Sequence, residues 1–266
     1  MTTSPAGDRF QTGAQKYATY LETPEGRLRT DLAFANVQEF LPSQAGHSLD
    51  ALDIGGGTGA IAIRVARLGL HVTLLESSRE MLDIARRASN DTGVVDRITL
   101  RHGDADELST LFHAQSFDLI VCHNVLEYVD DPDAVLRSCA RLMRDSSSLL
   151  SVLVRNRAGE VLKSALLAGD LDDAEKNLTA ESVKETLYGG RSRLFSQDAL
   201  LASLKGASLQ AIAMRGVRIV SDYLPAKVNR SAAYEQIVDL EHKLGNCREF
   251  AAVARYTHCL GRFVKS

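Results

Sequence analysis

The sequence has few of the residues that build disulfides and metal sites. Its 266 residues include four cysteines, and no two of them form a Cys-x-x-Cys pair. The seven histidines do not stand at metal-ligand spacing from the cysteines either. We therefore predict reduced, mostly buried thiols and no metal site.

Long apolar runs and an excess of basic residues are also missing. No apolar stretch approaches the roughly 20 residues of a membrane-spanning helix, and residues 1–11 have no apolar signal-peptide core. The Ser, Pro and Gly content of that segment predicts a loose end. The formal net charge of −3 argues against nucleic-acid binding by the whole surface, but it leaves a local basic patch open. We predict a cytoplasmic protein with no membrane partner.

What is present indicates one globular domain. Hydrophobic residues make up 45% and charged residues 24% of the chain, which are ordinary fractions for such a domain. The length suits one large α/β domain, and we find no internal repeat or low-complexity linker. We therefore predict a single domain over residues 1–266.

The most distinctive stretch is residues 51–60, which read Ala-Leu-Asp-Ile-Gly-Gly-Gly-Thr-Gly-Ala. A short apolar strand runs into a glycine-rich turn, and a helical pattern follows. Glycine has no Cβ, so the backbone turns sharply there and a ligand can approach it closely. The first helical turn offers free N–H groups and a partial positive charge. The stretch predicts a site for a nucleotide-like ligand.

Strands and helices alternate through the first 155 residues. This alternation predicts an α/β fold with a doubly wound, mostly parallel sheet, in which ligands bind at the carboxyl ends of the strands. The predicted strands are 51–54, 71–76, 98–102, 117–122 and 149–154. The segments expected to meet at the ligand-binding edge are Gly55–Gly59, Glu76, Asp104–Asp106 and His123.

Three other segments flank this alternating pattern. Residues 12–42 predict N-terminal cap helices, the second starting at Thr23-Pro24, that either pack on the sheet or cover the cleft. Residues 156–195 predict a mostly helical insertion near the substrate side. Two strands over 209–219 and 252–263, with an amphipathic helix over 232–244 between them, suit an antiparallel edge of the sheet.

The glycine turn fits two kinds of cofactor. Gly55-x-Gly57-x-x-Ala60 matches the dinucleotide fingerprint, with Glu76 about 20 residues on as the ribose-binding acid. S-adenosylmethionine is the alternative, and Asp53 favours it, because a carboxylate attracts its ammonium group and repels a pyrophosphate. Asp53-x-Gly55-x-Gly57-x-Gly59 also resembles the glycine motif of class I methyltransferases, and Gly103-Asp104-Ala105 resembles the adenine-binding segment of that class.

Further motifs resemble one family of that class, the bacterial tRNA 5-carboxymethoxyuridine methyltransferases. The resemblance covers most of the chain, and its C-terminal motifs are the less common ones. It implies methyl transfer from S-adenosylmethionine to the carboxylate of a modified wobble uridine in tRNA, with S-adenosylhomocysteine as the second product. The motifs are Glu25–Arg29, Leu52–Gly57, His123–Tyr128, Gly216–Ile219, Asp222–Leu224, Tyr234-Glu235, Leu240-Glu241 and Arg255–His258.

The resemblance and the glycine motif together imply a set of cofactor-binding residues. Arg29 suits the cofactor's carboxylate, since a guanidinium binds both oxygens, and this favours the cap helices as a lid. The predicted cofactor site comprises Arg29, Asp53, Gly55, Gly56, Gly57, Glu76, Asp104, Ala105, Asp106 and His123.

The acceptor decides which catalytic groups are needed. A carboxylate is ionised at neutral pH and needs no general base, only a positive group that orients it. A hydroxyl or amine acceptor would use a base, and His123 is the best placed. The candidate substrate-binding residues are Arg155, Arg157, Arg218, Tyr223, Arg255 and Tyr256.

The chain departs from the family in two places. Between Lys184 and Arg193 it has three basic residues, where the family carries a lysine-rich run, and phosphate contacts dominate affinity for tRNA. Residues 143–148 lack the Pro-Gly-Gly turn usual before the fifth strand. Two alternatives therefore stay open, a small-molecule O- or N-methyltransferase and a cofactor-binding protein without transferase activity.

Overall fold

The computed structural model describes residues 5–42, 48–185, 187–225 and 233–263. Its strands form one large sheet and one small sheet. The strands of the large sheet are β1 (Asp50–Ile54), β2 (His71–Glu76), β3 (Ile98–His102), β4 (Leu119–His123), β5 (Leu149–Arg155), β8 (Leu209–Val217) and β9 (Tyr256–Phe263). The small sheet pairs β6 (Ser182–Lys184) with β7 (Arg191–Arg193).

The strand order of the large sheet is β3-β2-β1-β4-β5-β9-β8. The first five strands pair in parallel, and β9 lies antiparallel between β5 and β8. The predicted α/β fold with an antiparallel edge is therefore confirmed. Both C-terminal strands are shorter than predicted. β8 ends at Val217 because Arg218 adopts a left-handed backbone conformation, with φ of +61°, and β9 begins only at Tyr256.

Helices cover both faces of this sheet. Neighbouring β1 residues such as Ala51 and Leu52 belong to two different apolar cores, one on each face, as expected for parallel strands buried on both sides. The helices are α1 (Pro5–Glu22), α2 (Pro24–Phe40), α3 (Ala60–Arg67), α4 (Arg79–Asp91), α5 (Leu108–Leu111), α6 (Pro132–Leu142), α7 (Arg157–Leu162), α8 (Leu171–Asn177), α9 (Gln197–Gly206), α10 (Tyr234–Asn246) and α11 (Arg248–Ala251).

The N-terminal segment is more ordered than the sequence indicated. The prediction of a loose end was wrong for residues 5–11, which form the start of α1; residues 1–4 lie outside the described residues. The Gln11 side chain accepts hydrogen bonds from Arg79 N at 3.0 Å and Ser78 Oγ at 3.1 Å. These contacts tie α1 to the start of α4. The second helix begins as predicted, with Thr23 Oγ1 accepting from Gly26 N at 3.1 Å.

The segment after β5 contains more than helices. A π-helical turn (Lys163–Ala168) follows α7 and precedes α8, and β6 and β7 then form a hairpin. Each strand of this hairpin has three residues, too short to give a strand pattern in the sequence. Glu185 shapes the turn by accepting from the backbone N–H groups of Leu187 and Tyr188. The predicted α10 helix starts at Tyr234; Ala232, included in its predicted range, lies outside the described residues.

The cysteines match their predicted state. All four are free; Cys122, Cys139 and Cys259 are buried, and Cys247 is exposed. In the part of the chain that the structure describes, no helix is both long and apolar enough to cross a membrane.

Candidate active site

A cavity of about 500 Å³ lies at the carboxyl ends of β1, β2 and β4, a volume suited to a cofactor-sized ligand. Segments far apart in the sequence line it. They are the glycine turn after β1, Glu76 at the end of β2, residues 103–106 after β3, and His123 at the end of β4. The residue lining therefore comes from the same strand ends at which the sequence placed the ligand.

The glycine turn leaves no room for side chains. Gly55 and Gly57 have φ values of +59° and +56°, which disfavour other residues. A Cβ added at Gly55 would lie 2.7 Å from Val125 Cγ2, and one added at Gly56 would lie 2.6 Å from Leu74 Cγ. The turn therefore fits tightly against β2 and the segment after β4, and offers bare backbone to the cavity.

Glu76 links the glycine turn to the next helix. Its Oε2 accepts from Gly57 N and its Oε1 from Ser78 N, both at 2.9 Å. Burial raises the pKa of this carboxyl, although the backbone hydrogen bonds oppose the rise. Oε1 also accepts from Ser77 Oγ at 3.5 Å. Because each carboxylate oxygen has two acceptor positions, Glu76 keeps one position on Oε2 for a hydroxyl group of a ligand.

Asp53 lies beside the cavity rather than on its wall. It lines a smaller space of about 40 Å³, together with Arg29, Gly56 and Asn124. Its Oδ2 is buried and has no hydrogen-bond partner among the described residues. Burial raises the pKa of Asp53 to about 7. A buried carboxylate oxygen without a hydrogen-bond partner destabilises the folded protein. Such an oxygen is expected in a site that binds a cationic ligand group.

The segment after β3 forms one rim of the cavity. Asp104 caps a short 3₁₀ helix, accepting from Asp106 N at 3.2 Å, while its own N–H donates to Glu107 Oε2 at 2.9 Å. Asp104, Ala105 and Asp106 all line the cavity. The Asp104 side chain thus both shapes the turn and faces the space where a ligand would lie.

Arg29 brings α2 into the site. Its guanidinium donates to Tyr17 Oη at 2.9 Å and to Asn124 Oδ1 at 3.2 Å, and Tyr20 and Tyr256 lie near it at ring-centroid distances of 5.2 and 5.7 Å. The residue is buried. Its charge has no carboxylate partner among the described residues, so it is available to an anionic ligand group.

Aromatic side chains from three elements close the outer part of the cavity. Phe10 on α1 packs edge-on against Tyr128 at 5.3 Å and against Tyr188 at 5.0 Å. Tyr17 lies 5.7 Å from Tyr188, which stands in the turn between β6 and β7. Helix α1 and the hairpin turn therefore form a cover over the cavity.

Two of the predicted substrate-binding arginines are already neutralised. Arg218 Nε donates to Asp222 Oδ1 at 2.9 Å, and Arg255 Nε lies 3.2 Å from Asp222 Oδ2. Arg255 Nη1 also donates to Glu160 Oε2 at 3.2 Å. Each guanidinium thus has a buried carboxylate within hydrogen-bonding distance, as buried charges require.

Arg155 differs from these two arginines. Its guanidinium lies 4.0 Å from Glu160 and 3.9 Å from Glu185, beyond direct hydrogen-bonding distance. The side chain is 14% exposed and lines the cavity. Its backbone N–H donates to Glu127 Oε1 at 2.8 Å, which fixes the end of β5. Arg155 therefore has donors free to bind a ligand.

Tyr256 lies among the arginines at the start of β9. Burial raises the pKa of its phenol, but the charges of Arg29, Arg218 and Arg155 outweigh burial and lower it to about 8. A hydroxyl in this position is partly ionised at slightly alkaline pH. Tyr256 lines the cavity, so its charge state affects any anionic group bound there.

His123 lines both the large and the small cavity. Its Nε2 lies 2.7 Å from Ser151 Oγ. Burial lowers the pKa of His123 well below its usual range, and the nearby His258 and Arg29 lower it further. A neutral imidazole is therefore the dominant form at neutral pH.

Not every predicted residue reaches the large cavity. Asp53 and Gly56 line only the smaller one, and Tyr223 and Arg157 line neither. The interpretation of Tyr223 as a substrate contact stays a prediction. Residues that sequence reasoning missed include the carboxylates around the arginines and the aromatic cover. The carboxylates are Glu127, Glu160, Glu185 and Asp222; the cover comprises Phe10, Tyr17 and Tyr188.

Comparison with known proteins identifies the family to which this chain belongs. A profile described as "Methyltransferase domain" matches residues 52–151. The tRNA 5-carboxymethoxyuridine methyltransferase of Escherichia coli strain K12 is 30% identical over 255 residues, which is 95% of each chain. The chain belongs to the tRNA 5-carboxymethoxyuridine methyltransferase family. It is an S-adenosylmethionine-dependent methyltransferase.

Solved structures of this methyltransferase class share the fold. An S-adenosylmethionine-dependent methyltransferase of Thermotoga maritima, described as a possible histamine N-methyltransferase, is 18% identical with a TM-score of 0.64, covering 97% of this chain and 99% of that one. The CcbJ methyltransferase of Streptomyces caelestis is 17% identical with a TM-score of 0.64, covering 97% and 100%. At these identities the likeness is evidence for the fold alone.

The site of this methyltransferase fits the cofactor of its class. The unpartnered Asp53 Oδ2 suits an ammonium group, Arg29 suits a carboxylate, and the free acceptor position on Glu76 Oε2 suits a ribose hydroxyl. Within the described residues, no group of three or more His, Cys, Asp and Glu side chains could hold a metal ion.

Proposed function

We propose that this methyltransferase esterifies a carboxylate, that of 5-carboxymethoxyuridine in tRNA. The observation that carries the proposal is the state of Arg155. It is a mostly buried guanidinium on the cavity wall whose nearest carboxylate oxygens lie 3.9 and 4.0 Å away. A buried cation with free donors favours an anionic ligand. The match to the Escherichia coli relative over 95% of both chains supports the same acceptor.

The residues around the glycine turn would hold S-adenosylmethionine. Arg29 binds its carboxylate, Asp53 its ammonium group and Glu76 its ribose. Asp104, Ala105 and Asp106 contact the adenine, and the backbone of Gly55, Gly56 and Gly57 packs against the cofactor. When bound, S-adenosylmethionine supplies an electrophilic methyl group on a sulfonium.

The work of the remaining residues is positioning. An in-line displacement needs the reacting atoms about 3 Å apart and nearly collinear. Arg155 orients the acceptor carboxylate from the β5 side of the cavity, and the neutralised Arg218 and Arg255 hold the neighbouring wall in place. The aromatic cover excludes water from the cavity.

The acceptor nucleotide would enter beside the hairpin turn. Lys163 and Lys184 line the cavity, and Arg191 is exposed on β7. These cations can contact the phosphates on either side of the modified uridine, since phosphate contacts position a nucleic acid without reading its sequence. Tyr128 and Tyr188 can stack on the uracil. We also propose a cytoplasmic location, where tRNA is modified.

A small-molecule acceptor is the second candidate. It is favoured by the charge of α8, whose exposed side chains include Asp170 at its N-cap, Asp172, Asp173 and Glu175. This helix packs against the π-helical turn that lines the cavity. A negative surface there repels the phosphates of tRNA, so the alternative is a carboxylate metabolite small enough to share the cavity of about 500 Å³ with the cofactor.

A labelled-methyl assay separates the two candidates. Purified protein with S-adenosylmethionine labelled in its methyl group is incubated with three acceptors: tRNA bearing 5-carboxymethoxyuridine, the same tRNA without that modification, and a metabolite extract. We expect label in the modified tRNA only. Label in a metabolite with none in the modified tRNA would favour the second candidate and contradict the first.

A further inference from the structure

A row of buried polar side chains lies behind His123. Asn36 Nδ2 lies 3.1 Å from His258 Nδ1, His258 Nε2 lies 2.7 Å from Ser151 Oγ, and Ser151 Oγ lies 2.7 Å from His123 Nε2. Asn36, Ser151 and His258 are each at most 3% exposed. The row runs from α2 across β9 and β5 to the cavity. Buried hydrogen-bond networks of this kind hold their members in one arrangement.

The Asn36 amide sets the direction of these hydrogen bonds. Its nitrogen can only donate, so His258 Nδ1 accepts and the proton of His258 is on Nε2. That N–H donates to Ser151 Oγ, and the Ser151 hydroxyl donates in turn to His123 Nε2. Ser151 Oγ has no other hydrogen-bond partner among the described residues. His123 must then carry its proton on Nδ1.

The charges around the row keep both imidazoles neutral. Burial lowers the pKa of His258 to about 3, and Arg215 on β8 lowers it as well. His123 faces Arg29 on α2 and His258 on β9. Burial and the positive charges of Arg29 and Arg215 both disfavour a second proton on either ring.

We propose that Asn36, His258 and Ser151 are positioning residues that present His123 to the cavity as a neutral hydrogen-bond donor. Its Nδ1–H, which has no partner among the described residues, would donate to a carboxylate oxygen of a bound ligand. The inference rests on the proposed function only in taking this cavity as the methyl-transfer site. It favours a positioning role for His123 over the general base that a hydroxyl or amine acceptor would use, because the atom facing the ligand would be a donor.

The opposite orientation of the Asn36 amide would make His123 Nδ1 an acceptor instead of a donor. With its oxygen toward His258, every hydrogen bond in the row would reverse. His123 would then donate through Nε2 to Ser151, and its Nδ1 would be an acceptor, as a general base requires. The tautomer of His123 therefore decides between donor and base.

Long-range ¹H–¹⁵N correlation spectra of the full-length protein, labelled with ¹⁵N-histidine, read this tautomer directly. We expect His123 protonated at Nδ1 and unprotonated at Nε2, and His258 protonated at Nε2, with no change between pH 8 and pH 6. Protonation of His123 at Nε2, or a charged ring at pH 6, would overturn the proposal. The measurement uses ligand-free protein, so a failure of methyl transfer to tRNA would refute the proposed function without affecting this result.

A pair of serine variants tests the role of the row. Ser151→Ala removes the donor to His123, so we expect mixed tautomers of His123 and a kcat/KM lower by roughly fivefold to tenfold, the scale of one hydrogen bond. Ser89→Ala is the matched control, because Ser89 is also buried but donates within α4 to the Ala85 carbonyl at 2.7 Å. It should change neither readout. An unchanged His123 tautomer in a folded Ser151→Ala variant would contradict the proposal; if that variant does not fold, the wild-type spectrum decides.

Both the cofactor and the proposed acceptor carry a carboxylate, and ligand titration distinguishes them. A shift of the His123 Nδ1–H resonance on addition of S-adenosylhomocysteine alone would assign the cofactor's carboxylate as the partner. A shift that needs 5-carboxymethoxyuridine nucleoside in addition would assign the acceptor's carboxylate. No shift with either ligand, under conditions where both bind, would overturn the donor role.

Discussion

The guanidinium of Arg155 lies 3.9 Å from the nearest carboxylate oxygen of Glu185. This gap is the feature that distinguishes Arg155 from Arg218 and Arg255, each of which has a carboxylate oxygen at or below 3.2 Å. A free guanidinium in a mostly buried wall is available for an acidic acceptor, and the first prediction follows from it.

Replacing Arg155 by Met should weaken acceptor binding and spare the cofactor. A charge-assisted hydrogen bond contributes about 1.5–3 kcal/mol, so we expect the KM for modified tRNA to rise by roughly one to two orders of magnitude. The dissociation constant of S-adenosylhomocysteine, measured by calorimetry, should not change. Arg86→Met is the control, because Arg86 is exposed on α4 and, among the described residues, pairs with Asp83. Equal acceptor KM values for Arg155→Met and wild type would argue against the role given to Arg155.

Asp53 should make the ligand-free protein less stable as the pH rises. Its folded-state pKa is about 7, against a usual value of 3.8, so the folded state binds more protons than the unfolded state between these values. The unfolding free energy should therefore fall from pH 4 to pH 7 in wild type relative to Asp53→Asn. Urea denaturation of both proteins at pH 4, 5.5 and 7 measures this difference. Parallel curves would show that the Asp53 pKa is not raised.

The same variant tests the cofactor assignment. If Asp53 binds the ammonium group, Asp53→Asn should bind S-adenosylmethionine at pH 8 about tenfold more weakly or worse, the scale of a charge-assisted hydrogen bond. Calorimetric titration gives the affinities. Equal binding by the variant and the parent would remove the charge argument that separates this cofactor from a dinucleotide.

Tyr256 should ionise near pH 8. The folded-state pKa of about 8 lies below the usual value of 10.0, so the unfolded state binds more protons between pH 8 and pH 10. The contribution of Tyr256 to stability is therefore largest above pH 10 and is lost as the pH falls through 8. Absorbance titration of phenolate should show one tyrosine ionising near pH 8 in wild type. That transition should be absent in Tyr256→Phe; its persistence there would assign it to another tyrosine.

Asp222 should contribute strongly to stability. It pairs with both Arg218 and Arg255 and has a side chain only 5% exposed, so Asp222→Asn leaves two buried guanidinium groups poorly compensated. We expect the unfolding free energy to fall by about 3 kcal/mol or more. Asp239→Asn is the matched control, since Asp239 pairs with Lys243 on an exposed helix face and such pairs contribute about 0.5 kcal/mol or less. Equal effects of the two substitutions, measured by denaturant unfolding, would contradict this account of the arginine group.

The sequence predicted the parallel core of the fold because its signals are local. Apolar runs such as His71–Glu76, the helix start at Thr23, and the glycine turn each specify their own segment. Very short strands and contacts between residues far apart in the sequence were not predictable in this way. The strands β6 and β7 have three residues each, and the first turns of α1 are secured by Gln11 contacts with Ser78 and Arg79, about 67 residues away in the sequence.

The residues of the site also fall into a group that the sequence predicted and a group that depends on tertiary contacts. The residues at strand ends, such as Glu76 and His123, were placed correctly beside the cavity by topology alone, because parallel strands bring their carboxyl ends to one edge. Which arginine is free depends on carboxylates from distant segments, Asp222, Glu160 and Glu185, and no spacing rule indicates them. The same holds for the row behind His123, whose members Asn36 and His258 are 222 positions apart.

The most direct test of the account is the chemical form of the transferred methyl group. Labelled-methyl tRNA is recovered after reaction and treated with mild alkali, which hydrolyses a methyl ester and releases the label as methanol. An ether or amine methyl group would stay on the nucleoside. We predict that the label enters only tRNA bearing 5-carboxymethoxyuridine and that alkali releases it. Alkali-stable label on tRNA, or label confined to a small molecule, would contradict the central claim that this cavity esterifies the carboxylate of that nucleoside.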